Sequence, residues 1–255
     1  MIESNEFMLN NNIMLNPYEE ISRVYDTGWG DFSIQYVPLI EELLGERYIK
    51  RARILDIACG TGILALELAR HGHTVHGTDV STEMIKIAKK KVAGLPNLSF
   101  AVQDMTRFST KNKFDIVTCT FDSINYLRRL HDVRKMLWSV ASALNTGGLF
   151  IFDSNTRYLY MRHANELDKR EINGEEFLHQ CKYSPRGNVA TTVFSFSDGT
   201  YEVHKQRPYS YDELQPLLDK AGLRTLHLFS WFNRLPYSSN TPKFFCVAEK
   251  GRELL

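Results

Sequence analysis

The chain is poor in the features that would tie it to a metal, a membrane or a polyanion. Its four cysteines, Cys59, Cys119, Cys181 and Cys246, are widely spaced and form no Cys-x-x-Cys or Cys/His ligand pattern. That excludes a zinc ribbon or a disulfide framework and leaves reduced, mostly buried thiols. Neither sign of charge is in excess, with 31 basic side chains against 30 acidic ones, so nothing argues for nucleic acid or a membrane surface as partner. No apolar run approaches the length of about eighteen residues that a membrane span needs. Met1 opens a polar, Asn-rich stretch without the basic and apolar regions of an export signal, so the expected location is the cytoplasm. His71, His73 and His76 are near neighbours, but one turn and a strand give them no metal geometry, and no metal is expected. Repeats and low-complexity tracts are also lacking.

What is present centres on Arg53-Ile54-Leu55-Asp56-Ile57-Ala58-Cys59-Gly60-Thr61-Gly62, followed by Ile63 to Arg70. Ile54, Leu55 and Ile57 suit a strand buried on both faces, and Leu64, Leu66, Leu68 and Ala69 suit a helix with an apolar stripe. Between them, Gly60 and Gly62 let the backbone approach a ligand that the free N–H groups of the new helix can meet. His73 to Thr78 reads as a second strand with Asp79 at its carboxyl end, where a carboxylate accepts from ribose hydroxyls. The pair indicates an adenosine-containing cofactor. It serves nicotinamide dinucleotides and S-adenosylmethionine alike. At 255 residues the chain suffices for one large α/β domain with an elaboration.

Along the chain, Met1 to Leu15 show no period and are expected to order only when something docks on them. Asn16-Pro17-Tyr18-Glu19 carries the signals of a helix start. Asp26 to Asp31, with two glycines, is expected to break that helix before it resumes at Phe32 to Leu44. Ser81 caps a helix whose Lys86, Lys89, Lys90 and Lys91 read as a solvated face. Leu98 to Val102 and Lys113 to Cys119 are strands, and Leu149 to Asp153 is another after a helix over Asp132 to Leu144 stopped by Asn145-Thr146-Gly147-Gly148. Arg157 to Arg170 is a charged, helical piece. Glu176 to Tyr183, Val189 to Phe196 and Thr200 to Gln206 alternate and form an antiparallel sheet over the carboxyl edge of the main one. Ser210-Tyr211-Asp212-Glu213 is a capping box for a helix that Pro216 shortens or bends. Leu223 to Phe232 and Lys243 to Lys250 are the closing strands.

In order and at these spacings, Asp56 to Gly62, Asp79, Gln103-Asp104-Met105, Phe114 to Val117 and Asn145 to Gly148 resemble the class I S-adenosylmethionine-dependent methyltransferases, over Pro17 to Lys250. Tyr25-Asp26, the insert after the fifth strand and Ala221-Gly222-Leu223 further resemble its small-molecule branch, which includes amino-sugar N-methyltransferases and glycine N-methyltransferase-like enzymes. The resemblance implies an α/β, Rossmann-like seven-stranded sheet with the last strand antiparallel and helices on both faces. A helical preface would occupy 1–50, the cofactor core 51–154 and 209–255, and an inserted lid 155–208.

By the same resemblance, Asp56 and Gly60 lie along the methionine part of the cofactor, Asp79 holds ribose, and Asp104 and Met105 border adenine. Tyr25, Trp29, Ala58, Gly62, Val80, Gln103 and Phe121 complete the expected cofactor set. Ala58 stands where glycine is commoner, a small residue that leaves the loop open. Ligands bind outside the carboxyl ends of the strands in such sheets, so Asp122, Asn125 and Tyr126 are expected to meet the methyl acceptor, with Arg207 and Tyr209 on a substrate anion or in a structural ion pair. His204 is a candidate base or a packed lid histidine, and Tyr25 closes over the reacting groups or packs the preface. The function so implied is methyl transfer to a nitrogen or oxygen of a small molecule, with lid strands equally suited to a homodimer contact. A nicotinamide-dependent oxidoreductase and a non-catalytic S-adenosylmethionine-binding protein are the alternatives, opposed by Asp56, Asp104 and the dedicated lid.

Overall fold

A computed structural model describes residues 13–92, 94–230 and 234–251. Strand β1 (Ile13–Leu15) precedes helices α1 (Tyr25–Ile34) and α2 (Val37–Glu46). Then β2 (Arg53–Ile57), α3 (Ile63–Arg70), β3 (Thr74–Asp79), α4 (Thr82–Lys90), β4 (Leu98–Val102), β5 (Phe114–Cys119), α5 (Leu130–Ala143) and β6 (Leu144–Asn155) alternate. The insert holds α6 (Arg157–Arg162), β7 (Leu167–Ile172), β8 (Glu175–Ser184), β9 (Val189–Phe196) and β10 (Thr200–Gln206). Helix α7 (Tyr211–Lys220) and strands β11 (Leu223–Ser230), β12 (Leu235–Pro236) and β13 (Lys243–Lys250) close the chain.

The larger sheet has the order β12-β11-β13-β6-β5-β2-β3-β4. Strands β4, β3, β2, β5 and β6 run parallel, and β13 lies antiparallel between β6 and β11. This is the expected Rossmann-like sheet with an antiparallel last strand, plus the two-residue β12 on its edge. Its strands are apolar on both faces, as a covered sheet demands. Leu55, Ile57, Phe150, Phe152 and Phe244 pack under α5 and α7. Ile54, Leu149, Ile151, Phe245 and Val247 pack under α2, α3 and α4 on the other side. The lid sheet has the order β1-β10-β9-β8-β7, and Phe177 and Phe194 on it form a third core with Ile21 and Val24.

Several sequence expectations give way. Residues 1–12 lie outside the described residues, but Ile13–Leu15 pair in parallel with Thr200–Glu202 of the lid. Asn16 to Glu19 form a turn, because Tyr18 takes a left-handed φ of 68° that no helix tolerates; Glu19 still reaches back to the Asn16 N–H at 3.1 Å. Helix α1 runs straight through the expected break at Gly28 and Gly30. A Cβ there would stand 2.8 Å from Ile172 Cδ1 or 2.7 Å from Ile63 Cδ1, so both glycines serve close packing. The charged piece 157–170 is helical only as α6, and its remainder contributes β7. Asn145 to Gly148 already belong to β6. Ser210 and Glu213 make the expected capping box, and α7 continues past Pro216. Of the strand expected over Leu223 to Phe232, Trp231 and Phe232 lie outside the described residues. No helix among the described residues is long and apolar enough to cross a membrane.

Candidate active site

The loop after β2 forms the floor of a cavity of about 600 Å³ at the carboxyl ends of the parallel strands. Ala58 (φ 55°) and Gly60 (φ 55°) line it in left-handed conformations. A Cβ built on Gly60 would meet nothing nearer than Tyr25 Cε1 at 3.9 Å and would project over the open floor. Gly62 differs. Its Cβ would fall 2.4 Å from Phe100 Cζ, so that glycine is needed for packing beneath the loop, and Gly62 does not line the cavity.

Asp79 joins the two strand ends. Its Oδ2 accepts from Gly60 N–H at 2.9 Å and its Oδ1 from Ser81 N–H at 2.8 Å. Burial raises its carboxyl, opposed by the hydrogen bonds from Ser81, Gly60 and Val80 N–H. Each oxygen keeps lone-pair capacity toward the cavity it borders. Val80, Met105, Tyr25 and Phe121 add apolar lining. Asp56 lies beneath the floor, accepts from Thr118 Oγ1 at 2.6 Å and has its carboxyl pushed up to about 7 by burial. It does not reach the cavity. Nor does Asp104, whose oxygens cap their own turn through Thr106 N–H (2.8 Å), Thr106 Oγ1 (2.8 Å) and Arg107 Nε (3.2 Å). Gln103 acts through its backbone, donating to Asp79 O at 2.9 Å. Lys91 is not part of a solvated face: it binds Asp26 at 2.5 Å and Thr61 O at 2.9 Å, tying α4 to α1 and the loop.

A second cavity, of about 440 Å³, lies between the core and the lid. It shares Tyr18, Tyr25, Phe121 and Tyr126 with the first, so four aromatic side chains stand between the two. Trp29, stacked on Tyr25 with ring centroids 5.7 Å apart, belongs to this second space, as do Asp122 and His204. Phe121 and Asp122 both hold left-handed φ, 58° and 51°. Such paired strain persists only when the surroundings over-determine it. Here Asp122 N–H donates to Asp153 Oδ2 at 2.9 Å, and the buried Lys243 ammonium donates to Asp122 (2.8 Å) and Asp153 (2.6 Å). Burial lowers the Lys243 ammonium, but the two carboxylates outweigh it and leave it raised.

Three expected acceptor residues are structural by their contacts. Asn125 spends its amide on Asn155 O, Arg207 O and Asn155 N–H. Arg207 pairs with Glu213 at 2.6 Å and lies over the Tyr209 ring. Tyr209 is fully buried and donates to Leu127 O. His71 and His73 share Glu41, each at 2.9 Å. His204 is different: its Nε2 meets Glu202 Oε2 at 2.9 Å and its Nδ1 meets Tyr126 Oη at 2.8 Å. Glu202, Tyr18 and Lys243 were not foreseen. A signal for Glu202 existed in β10, where Glu202, His204 and Gln206 repeat at every second position and point to one buried face.

A Rossmann-like sheet with a glycine floor, a carboxylate at the second strand end and a covering lid defines an enzyme built around an adenosine-bearing cofactor. Residues 54–148 match the family described as Methyltransferase domain. A putative methyltransferase of Geobacillus sp. (strain WCH70) is 32% identical over 209 residues, covering 78% of this chain and 84% of the relative. A crystal structure of an S-adenosylmethionine-dependent methyltransferase from Clostridium acetobutylicum superposes with a TM-score of 0.79 at 24% identity, over 92% of this chain and 99% of that one. The S-adenosylmethionine-bound CalS10 of Micromonospora echinaspora, an amino pentose methyltransferase, gives 0.67 at 19% identity, over 95% and 100%. The chain belongs to the S-adenosylmethionine-dependent methyltransferases, and the nicotinamide reading is set aside.

Proposed function

We propose that this enzyme methylates a nitrogen or oxygen of a small molecule held in the lid cavity. The observation that carries this is the pair of cavities that Tyr18, Tyr25, Phe121 and Tyr126 line in common. S-Adenosylmethionine fits the larger one. There Gly60 leaves open floor, the Asp79 oxygens can accept from ribose hydroxyls, and Val80 and Met105 give an apolar wall for adenine. When bound, that cofactor supplies an electrophilic methyl group on a sulfonium. The chain's own residues then align the acceptor, exclude water and take up its proton. Asp56 and Gly62 support the floor from beneath. The acceptor side is shared: the insert 155–208 supplies His204, the preface Trp29 and the core Asp122, all facing the smaller cavity. That CalS10 is an amino pentose methyltransferase accords with an acceptor of monosaccharide size.

Titration calorimetry with S-adenosylmethionine, S-adenosylhomocysteine and NAD in parallel is the first test. Binding of the two sulfur compounds without NAD is expected, followed by turnover of a member of a panel of small amines and alcohols. Turnover confined to macromolecular acceptors would overturn the small-molecule reading.

A further inference from the structure

We infer that Glu202, His204, Tyr126 and Tyr18 form a directed proton relay whose receiving end is the Tyr18 hydroxyl, on the wall between the two cavities. The inference rests on the proposed methyl-acceptor site and extends it.

Direction follows from what each atom can donate. The Glu202 carboxylate is completely buried, and its Oε1 accepts from Glu20 N–H at 2.5 Å and Ile21 N–H at 2.9 Å. Its Oε2 accepts from Tyr18 N–H at 2.8 Å and faces His204 Nε2 at 2.9 Å. Burial works against its charge, yet the hydrogen bonds from His204, Ile21, Glu20 and Tyr18 outweigh burial and hold the carboxyl below its usual range. An ionised carboxylate only accepts, so Nε2 carries a proton, and in the neutral tautomer that the relay requires Nδ1 is the acceptor. Tyr126 therefore donates to Nδ1 across 2.8 Å, and Tyr18 donates to Tyr126 Oη across 2.6 Å. The Tyr18 oxygen, at the end of the chain, keeps its lone pairs for a further donor.

A hydroxyl or a primary or secondary amine releases a proton when it is methylated. As its lone pair forms the bond to the methyl carbon and the sulfur keeps the electron pair of the broken bond, its proton passes to Tyr18 Oη. The Tyr18 proton passes to Tyr126 and the Tyr126 proton to His204 Nδ1. The Tyr18–Tyr126 and Tyr126–His204 bonds then point the other way, and the relay ends on an imidazolium whose Nε2–H still donates to the Glu202 carboxylate. Burial raises both phenols well above their usual range, so neither holds a negative charge, and the proton rests on histidine. Around His204 the Phe194 ring closes edge-on at 5.1 Å and the Tyr18 ring at 4.8 Å. Tyr18 is thus the catalytic residue, while Tyr126, His204 and Glu202 are positioning and relay residues.

Nitrogen-15 NMR of the full chain at neutral pH, with His204 assigned by its loss in His204→Asn, tests the direction. Expected is a neutral imidazole protonated on Nε2, with an Nδ1 resonance that shifts in Tyr126→Phe. An Nδ1-protonated tautomer, or no shift in Tyr126→Phe, overturns the relay whether or not any panel compound turns over. On the best panel acceptor, Tyr126→Phe is expected to lower kcat about 10²-fold or more, with KM and S-adenosylmethionine affinity near wild type. An unchanged kcat would remove the relay while leaving the methyltransferase site intact. Loss of S-adenosylmethionine binding by the wild-type chain would instead defeat the site on which the inference rests.

Discussion

Asp79 and Asp56 are both buried carboxylates beside the glycine loop, yet they do different work. Asp79 accepts from the backbone N–H groups of Gly60, Ser81 and Val80 and still faces open cavity. Asp79→Ala is expected to weaken S-adenosylmethionine binding by about 1–3 kcal/mol, because ribose hydroxyls lose a charged acceptor; unchanged affinity by calorimetry would take Asp79 out of the site. Asp56 accepts from the Thr118 hydroxyl, and burial pushes its folded-state carboxyl up to about 7, above the unfolded range. A raised carboxyl contributes stability that is full below the unfolded value and lost as pH rises through the folded one. Asp56→Asn should therefore gain in melting temperature relative to wild type between pH 4 and 8, as thermal melts across that range will show. A constant difference would mean that Asp56 titrates normally.

At the scale of elements, Gly60 and Gly62 make a controlled pair. Both hold positive φ, but only Gly62 lies against the Phe100 ring. Gly62→Ala is expected to cost roughly 2–4 kcal/mol of stability, from strain and overpacking combined. Gly60→Ala should cost about 1–2 kcal/mol in strain, and lose cofactor affinity at least tenfold because its Cβ stands on the cavity floor. Denaturant melts and calorimetry on the two variants separate these effects, and equal affinity losses would show that both glycines meet the ligand.

The same scale shows how much was legible. Strands β2 to β6, their helices, the Ser81 cap and the capping box of Ser210 and Glu213 follow from periodicity and short-range chemistry, and the structure keeps them. What escaped depends on distant partners. The turn at Asn16 to Glu19 is held by Glu202, a residue 182 to 184 positions away for its bonds to Glu20 and Tyr18. The run through Gly28 and Gly30 is decided by Ile172 and Ile63. In the candidate site, the glycine loop and Asp79 were readable because backbone geometry demands them. Asn125 and Tyr209 misled because a polar residue near a strand end looks the same whether it faces a ligand or satisfies buried backbone, whereas for Arg207 the ion-pair alternative is the one the structure holds.

For the molecule as a whole, the two kinds of buried carboxylate give core and lid opposite responses to acid. Asp56, in the core, favours the folded state more as pH falls from about 7. Glu202, at the junction of preface and lid, has its carboxyl held low; its contribution is present above the unfolded value and lost as pH falls through the folded one. The amides of Tyr18 to Ile21 and of β10 should thus lose protection in acid before those of β2 and β3, measured by hydrogen exchange corrected for intrinsic rates. Simultaneous loss would count against a separately responding junction.

The turn clasped by Glu202 also roofs the cofactor cavity, since Asn16, Pro17, Tyr18 and Glu19 line it. Were a spent cofactor to leave through this roof, three backbone N–H bonds to a single carboxylate would have to come apart first. Such an opening sets the pace when it is slower than chemistry, and it drags through solvent where methyl transfer does not. By that route turnover should slow in proportion to added microviscogen, and a variant that loosens the turn should lose that dependence.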